Sequence, residues 1–89
     1  MTPALRQLSV TVRYFGAARA AANSEVETVA VQPGSTVADL ANQLGDSNPR
    51  LAAVLVRCSY LRDGVAVREP AVPLQSGQTI DVLPPFAGG

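Results

Sequence analysis

Apolar residues Leu8, Val10, Val12 and Tyr14 alternate with Ser9, Thr11, Arg13 and Phe15. A period of two puts the first set on one side of an extended chain, so this segment reads as a half-buried strand. Gly16 to Asn23 is rich in alanine but carries no apolar stripe, and it reads as a loop or irregular turn. Glu25 to Val31 resumes strand character, with Val29 and Val31 on one face. Gln32-Pro33-Gly34 then gives a turn signal.

After this turn the period changes. Thr36-Val37-Ala38-Asp39 has the form of a capping box in which aspartate takes the usual glutamate's place. Val37, Leu40, Ala41 and Leu44 follow at helical spacing and make one apolar stripe. Gly45 stands where a helix C′ residue is expected. Asn48-Pro49 supplies an N-cap and first-turn pair for a second, shorter helix running to about Leu55.

Strand character returns from Arg57 to Arg62, with Cys58 and Tyr60 on one face. Asp63-Gly64 is a hairpin signal, and Val65 to Val67 is the return strand. Pro70 to Pro73 is irregular. Leu74 to Gln78 turns into a last strand, Thr79 to Leu83, whose Ile80 and Val82 face one way. Pro84 ends it. Two strands, a helical crossover and further strands predict an α+β domain with one mixed sheet and a helix across one face. The last strand must bury Ile80 and Val82, and a central place beside the first strand closes the domain compactly.

Composition narrows the chemistry. The 89 residues make one small domain, with residues 1–7 expected to be flexible and 84–89 to form an extended tail. Aromatic residues are confined to Tyr14, Phe15, Tyr60 and Phe86, so the core must be built from Val, Leu and Ala. Seven arginines balance seven acids and are scattered along the chain. A nucleic-acid binder is expected to carry a basic stripe, and this chain has none. There is no histidine and only Cys58 among the cysteines. No intrachain disulfide and no metal site are therefore expected. Lysine is absent too, which removes Schiff-base chemistry and any isopeptide acceptor on the chain itself. Met1 to Leu8 lacks the pattern of a secretion signal, and no apolar run approaches a membrane span. A cytoplasmic setting is the expectation.

The sequence given closes on Pro84-Pro85-Phe86-Ala87-Gly88-Gly89. Proline donates nothing to a sheet ladder and favours extended backbone. Two glycines without Cβ atoms make a thin end that fits a narrow tunnel. Fraying, as termini commonly do, is the plainer reading of the same residues.

This order of elements, together with the ending, resembles the β-grasp sulfur carriers of the MoaD/ThiS type, which are ubiquitin-like in fold. Within them the likeness is strongest to the small subunits of molybdopterin synthase. Val12-Arg13-Tyr14-Phe15-Gly16-Ala17-Ala18-Arg19 looks like the family's first strand and following loop. Gly34-Ser35-Thr36-Val37 and Leu40 look like its entry into the main helix. Pro73-Leu74 through Gly77, then Ile80 to Gly89, look like its closing strand and tail. A terminal Gly-Gly alone is shared by all carriers of this type, whereas two prolines, one apolar residue, a small residue and Gly-Gly are more particular to the molybdopterin branch. One departure is Arg62-Asp63-Gly64, where many members have a Val-Asn-Gly turn.

The resemblance implies a mixed sheet of about four to five strands, one main helix and a second short one. It also implies a carrier whose reactive group is the C-terminal carboxylate of Gly89, which is adenylated and converted to a thiocarboxylate. ATP and magnesium belong to the activating partner, and the chain itself binds no cofactor. The thiocarboxylate would donate sulfur for the molybdopterin dithiolene inside a heterotetramer of two small and two large subunits. Gly88, Ala87, Phe86, Pro85 and Pro84 form the tail, and Phe86, Phe15 and Arg19 are candidate partner contacts. Phe15 also reads as a packed strand-end residue, and Arg19 as a solvated loop arginine. Cys58 reads as a small packed hydrophobe, and Glu25, Glu27, Asp46, Glu69 and Asp81 as surface charge. Other readings of the same tail are a carrier for thiazole or cysteine synthesis, a ubiquitin-like protein modifier and a binding module without tail chemistry.

Overall fold

The computed structural model describes residues 7–85. The elements run β1 (Leu8–Tyr14), α1 (Gly16–Ala22), β2 (Val26–Val31), α2 (Val37–Asp46), α3 (Pro49–Leu55), β3 (Ser59–Arg62), β4 (Val65–Ala66) and β5 (Thr79–Leu83). The strands form one five-stranded sheet in the order β2-β1-β5-β3-β4. β1 pairs antiparallel with β2 and parallel with β5, and β5 pairs antiparallel with β3. This is the expected mixed α+β sheet, with the last strand beside the first.

The alternation in β1 does what its period demands. Val10, Val12 and Tyr14 are buried, and they meet Ile80 and Val82 of β5, both wholly inaccessible. Val37 and Leu40 of α2, with Leu51 and Leu55 of α3, complete one apolar cluster on that side of the sheet. α2 starts on the capping box read in the sequence. Asp39 N–H donates to Thr36 Oγ1 at 3.1 Å, and Thr36 N–H donates to Asp39 Oδ2 at 3.0 Å. α3 starts on Asn48, whose Oδ1 accepts from Leu51 N–H at 3.1 Å. Asp63 and Gly64 both have positive φ, 49° and 85°. That is the pair of left-handed residues a tight two-residue hairpin requires.

The structure differs from expectation in several places. Gly16–Ala22 is a helix, so the domain has three helices among the described residues rather than two. Five alanines give this segment high intrinsic helix propensity. Only Ala18 is buried, so no apolar stripe advertises the helix. It ends on Asn23, which takes the left-handed conformation at φ 59° and returns its N–H to Arg19 O. Gly45 is not a C′ residue, because α2 continues to Asp46. Its role lies in packing. A Cβ there would stand 2.9 Å from Ala52 Cβ, so the missing side chain lets α2 and α3 cross closely. β3 begins at Ser59 rather than Arg57, and β4 is only Val65–Ala66.

Candidate functional site: the root of the tail

β5 is the strand that leads toward the Gly-Gly segment, and it lies between β1 and β3 at the sheet's centre. Its register with β1 runs Thr11↔Thr79, Val12↔Ile80, Arg13↔Asp81 and Tyr14↔Val82. Past the last pair, Phe15 N–H donates to Val82 O at 3.2 Å. Pro84 then passes close to the start of α1. Gly16 has φ +52°, and a Cβ built on it would sit 3.8 Å from Pro84 Cγ. Pro84 is buried and Pro85 is exposed. The body therefore extends one residue beyond what the sequence suggested, and Pro84 belongs to it rather than to a free tail. Phe86, Ala87, Gly88 and Gly89 lie outside the described residues, as do residues 1–6 of the segment read as flexible.

Phe15 links strand to helix. It occupies the N-cap position of α1 in extended conformation, and its carbonyl accepts from Ala18 and Arg19 N–H at 3.0 and 3.3 Å. The residue is 37% exposed, so it neither packs fully into the body nor stands clear of it. The Arg13 guanidinium carbon lies 5.7 Å from the ring centroid, within cation–π range. Arg19 is a helix residue rather than a loop residue. It makes an exposed ion pair with Glu25, Nη1 to Oε2 at 3.5 Å, a kind of contact that contributes little to stability.

Arg13 and Asp81 are the residues that sequence reasoning missed. Arg13 Nε donates to Asp81 Oδ1 at 2.6 Å, and Nη2 donates to Oδ2 at 2.9 Å. Asp81 is 5% exposed, which corrects its reading as surface charge. The hydrogen bond and charge of Asp81 hold the Arg13 guanidinium above its already high pKa. The signal was present in the sequence. Arg13 and Asp81 occupy outward positions on two strands expected to lie side by side, and opposite charges there make a cross-strand pair.

The remaining titratable groups near the core are held neutral. Tyr14 is raised by burial and then by Glu27, whose Oε1 accepts from its hydroxyl at 2.5 Å. Tyr60 is pushed up to about 12 by burial first and then by Cys58, and its hydroxyl donates to Leu55 O at 3.3 Å. Burial also raises the Cys58 thiol, which donates to Val54 O at 3.3 Å. A thiol pushed up in this way is a poor nucleophile, in keeping with the packed role read for it. A concavity of about 970 Å³ lies between α2, α3 and the β3–β4 hairpin. None of the tail-root residues lines it. Among the described residues, no group of three or more His, Cys, Asp or Glu side chains could hold a metal ion, and no helix is long and apolar enough to cross a membrane. What the root can do is hold and present a chain.

The profile of the ThiS family matches residues 12–89. No curated protein matches the chain. Among solved structures, SAMP1 from Haloferax volcanii is 25% identical with a TM-score of 0.78, covering 91% of this chain and 99% of that one. A putative molybdopterin converting factor subunit 1 from Pyrococcus furiosus is 21% identical with a TM-score of 0.80, covering 89% and 99%. A chain in a complex of molybdopterin-converting factor subunits 1 and 2 from Helicobacter pylori is also similar. It is 23% identical with a TM-score of 0.69, covering 92% and 100%.

Proposed function

The chain belongs to the ThiS family of β-grasp, ubiquitin-like sulfur carriers, and we propose that it is the sulfur-donor subunit of a molybdopterin synthase. The observation that carries this reading is the continuity of the central strand β5 with Pro84-Pro85-Phe86-Ala87-Gly88-Gly89. The partner pairing is supported by the Helicobacter pylori neighbour, which is a complex of subunits 1 and 2 of molybdopterin-converting factor.

A carboxylate is a poor electrophile, so sulfur cannot displace its oxygen directly. In the proposed cycle the Gly89 carboxylate attacks the α-phosphorus of ATP in an activating enzyme that supplies the magnesium, and pyrophosphate leaves. A persulfide sulfur attacks the acyl carbon of the adenylate, and AMP leaves. A thiol then cleaves the sulfur–sulfur bond and frees the thiocarboxylate. The loaded tail enters the large subunit, where its sulfur bonds to a carbon of a pterin precursor. Water then cleaves the bond between that sulfur and the Gly89 acyl carbon, leaving sulfur on the precursor and returning the Gly89 carboxylate. A dithiolene needs two sulfurs, so two loaded carriers serve each product, in keeping with two small and two large subunits. Phe86, Phe15 and Arg19 are the proposed partner contacts. This chain needs no base or nucleophile of its own, since those groups belong to the partners.

The test is the intact mass of the native protein isolated from cells. A thiocarboxylate adds the mass difference between sulfur and oxygen, and fragmentation places it on Gly89. Co-purification with a large subunit that binds a pterin precursor favours this pathway. A thiazole or cysteine synthase in its place favours another carrier branch. The likeness to SAMP1, a small archaeal modifier protein, favours a second reading as a protein modifier. That reading requires Gly-Gly remnants of this chain on lysines of other proteins.

A further inference from the structure

Asp81 is the only buried charged residue among the described residues. Taking a carboxylate out of water is costly unless it is paired and hydrogen-bonded. β5 could carry Val or Thr at this position with less cost. Arg13 meets the charge with a forked pair of bonds from the strand next to it, and that side chain stays half exposed. The same guanidinium lies over the Phe15 ring. One side chain therefore ties β5 to the end of β1 two residues before the sheet stops.

The position matters because on the β1 side little else holds β5 beyond it. After the Arg13↔Asp81 pair, β1 offers one further register pair and the 3.2 Å bond from Phe15 N–H to Val82 O. On its other edge β5 keeps the Tyr60↔Val82 and Ser59↔Leu83 pairs with β3, and Pro84 is buried near the start of α1. Strand ends open locally at low free-energy cost. Opening at this end would let Pro84 leave its seat, and the tail would depart on many headings. Forked arginine–carboxylate bonds are directional and charge-assisted, so they oppose that opening at a fixed geometry.

We propose that Arg13 and Asp81 are positioning residues for the sulfur-carrying tail, clamping its root so that the reactive end meets a partner's active site on one heading. This rests on the carrier reading above. The clamp acts through the Phe15–Val82 bond and the Pro84 seat, and takes no part in the acyl chemistry.

The experiment compares the full-length wild-type chain with Asp81→Asn and with the double variant Arg13→Leu/Asp81→Leu. Amide exchange at Phe15 and at Val12 is measured on each, together with the thermal midpoint. The thiocarboxylate-bearing fraction of folded protein recovered from cells is measured by intact mass. Asp81→Asn should speed exchange at Phe15 while leaving Val12 protected, and lower the loaded fraction severalfold. The double leucine variant removes the buried charge and should recover the thermal midpoint, yet leave Phe15 exchange fast and loading low. Arg13→Lys keeps the charge without the fork and should load between the two. A double leucine variant with Phe15 protected and loading at the wild-type level would reduce the pair to packing and overturn the proposal. A wild-type chain that never carries sulfur overturns the carrier reading instead. The two failures are distinguishable because exchange reports the clamp without any partner.

Discussion

Gly45→Ala opposes two forces that can be sized separately. Gly45 lies inside α2, where alanine is favoured over glycine by up to about 1 kcal/mol. The new Cβ would stand 2.9 Å from Ala52 Cβ and 3.2 Å from Ala52 Cα, against about 3.5–4.0 Å for carbons in comfortable contact. Both opposing atoms are fixed to the α3 backbone, so no rotamer change relieves the clash and the helices must move apart. Overpacking of this kind costs about 1–3 kcal/mol. The balance is a net loss of about 1 kcal/mol, with about 2 as the upper end. In a domain of this size that lowers the thermal midpoint by roughly 4–15 °C. Urea unfolding followed by circular dichroism should give a lower midpoint at unchanged slope. Adding Ala52→Gly removes the opposing Cβ, so the double variant should be more stable than the sum of the two single losses. A Gly45→Ala protein with a raised midpoint, or a strictly additive cycle, would refute the close-crossing argument and leave helix propensity in control.

Asn48→Ala removes the cap of α3 and also the bond from Asn48 Nδ2 to Ala21 O at 3.1 Å, which ties α3 to α1. The expected loss in urea unfolding is about 1–2 kcal/mol, whereas a change of only a few tenths would show that the tie does not matter. Tyr60 keeps its phenolic proton in the folded state to about pH 12, against 10.0 in the unfolded chain. Its contribution is therefore complete below pH 10 and lost as pH rises toward 12, and Tyr14 and Cys58, also raised, act with the same sign. Tyr60→Phe should flatten the decline measured by urea unfolding across that range, and an unchanged slope would assign it to the other groups. Deleting Gly89 should abolish thiocarboxylate loading while leaving the thermal midpoint unchanged, and loading retained in the deleted chain would remove Gly89 as the reactive residue.

Where one local pattern governs, the sequence was readable. Alternation placed Val10, Val12 and Tyr14 in the core, and the capping box placed the start of α2 at Val37. Asp63-Gly64 placed the hairpin because few residues other than glycine and asparagine or aspartate take left-handed backbone readily. What was not legible depends on neighbours distant in sequence. Gly45 looks like a helix end until Ala52 is seen against it. Gly16–Ala22 looks like a loop because its helicity comes from alanine propensity and a single buried residue, with no periodic stripe to reveal it. Asp81 looks like any charge on a strand until Arg13, 68 residues away in sequence, is found opposite. The candidate site was half legible on the same grounds. The Gly-Gly motif is local, whereas the seat of Pro84 and the Arg13 clamp require two strands from opposite ends of the chain.

Placing the tail after the innermost strand has a mechanical consequence. A pull on an edge strand peels its ladder one bond at a time, each worth about 0.5–1.5 kcal/mol net. β5 is held by parallel bonds to β1 and antiparallel bonds to β3, and Ile80 and Val82 are sealed beneath α2 and α3 in one core. A pull along β5 shears both ladders together, so no single bond can fail first. Two loads meet at its end. In the proposed carrier, contact between body and partner would hold the domain in place, and insertion of the tail would draw its last strand outward. A tail rooted in β2 or β4 would answer that draw by unravelling. Rooted in β5, with the Arg13–Asp81 fork beside the exit, it would transmit the draw to the whole domain, and in the proposed complex the free energy of body contact would go into seating the tail.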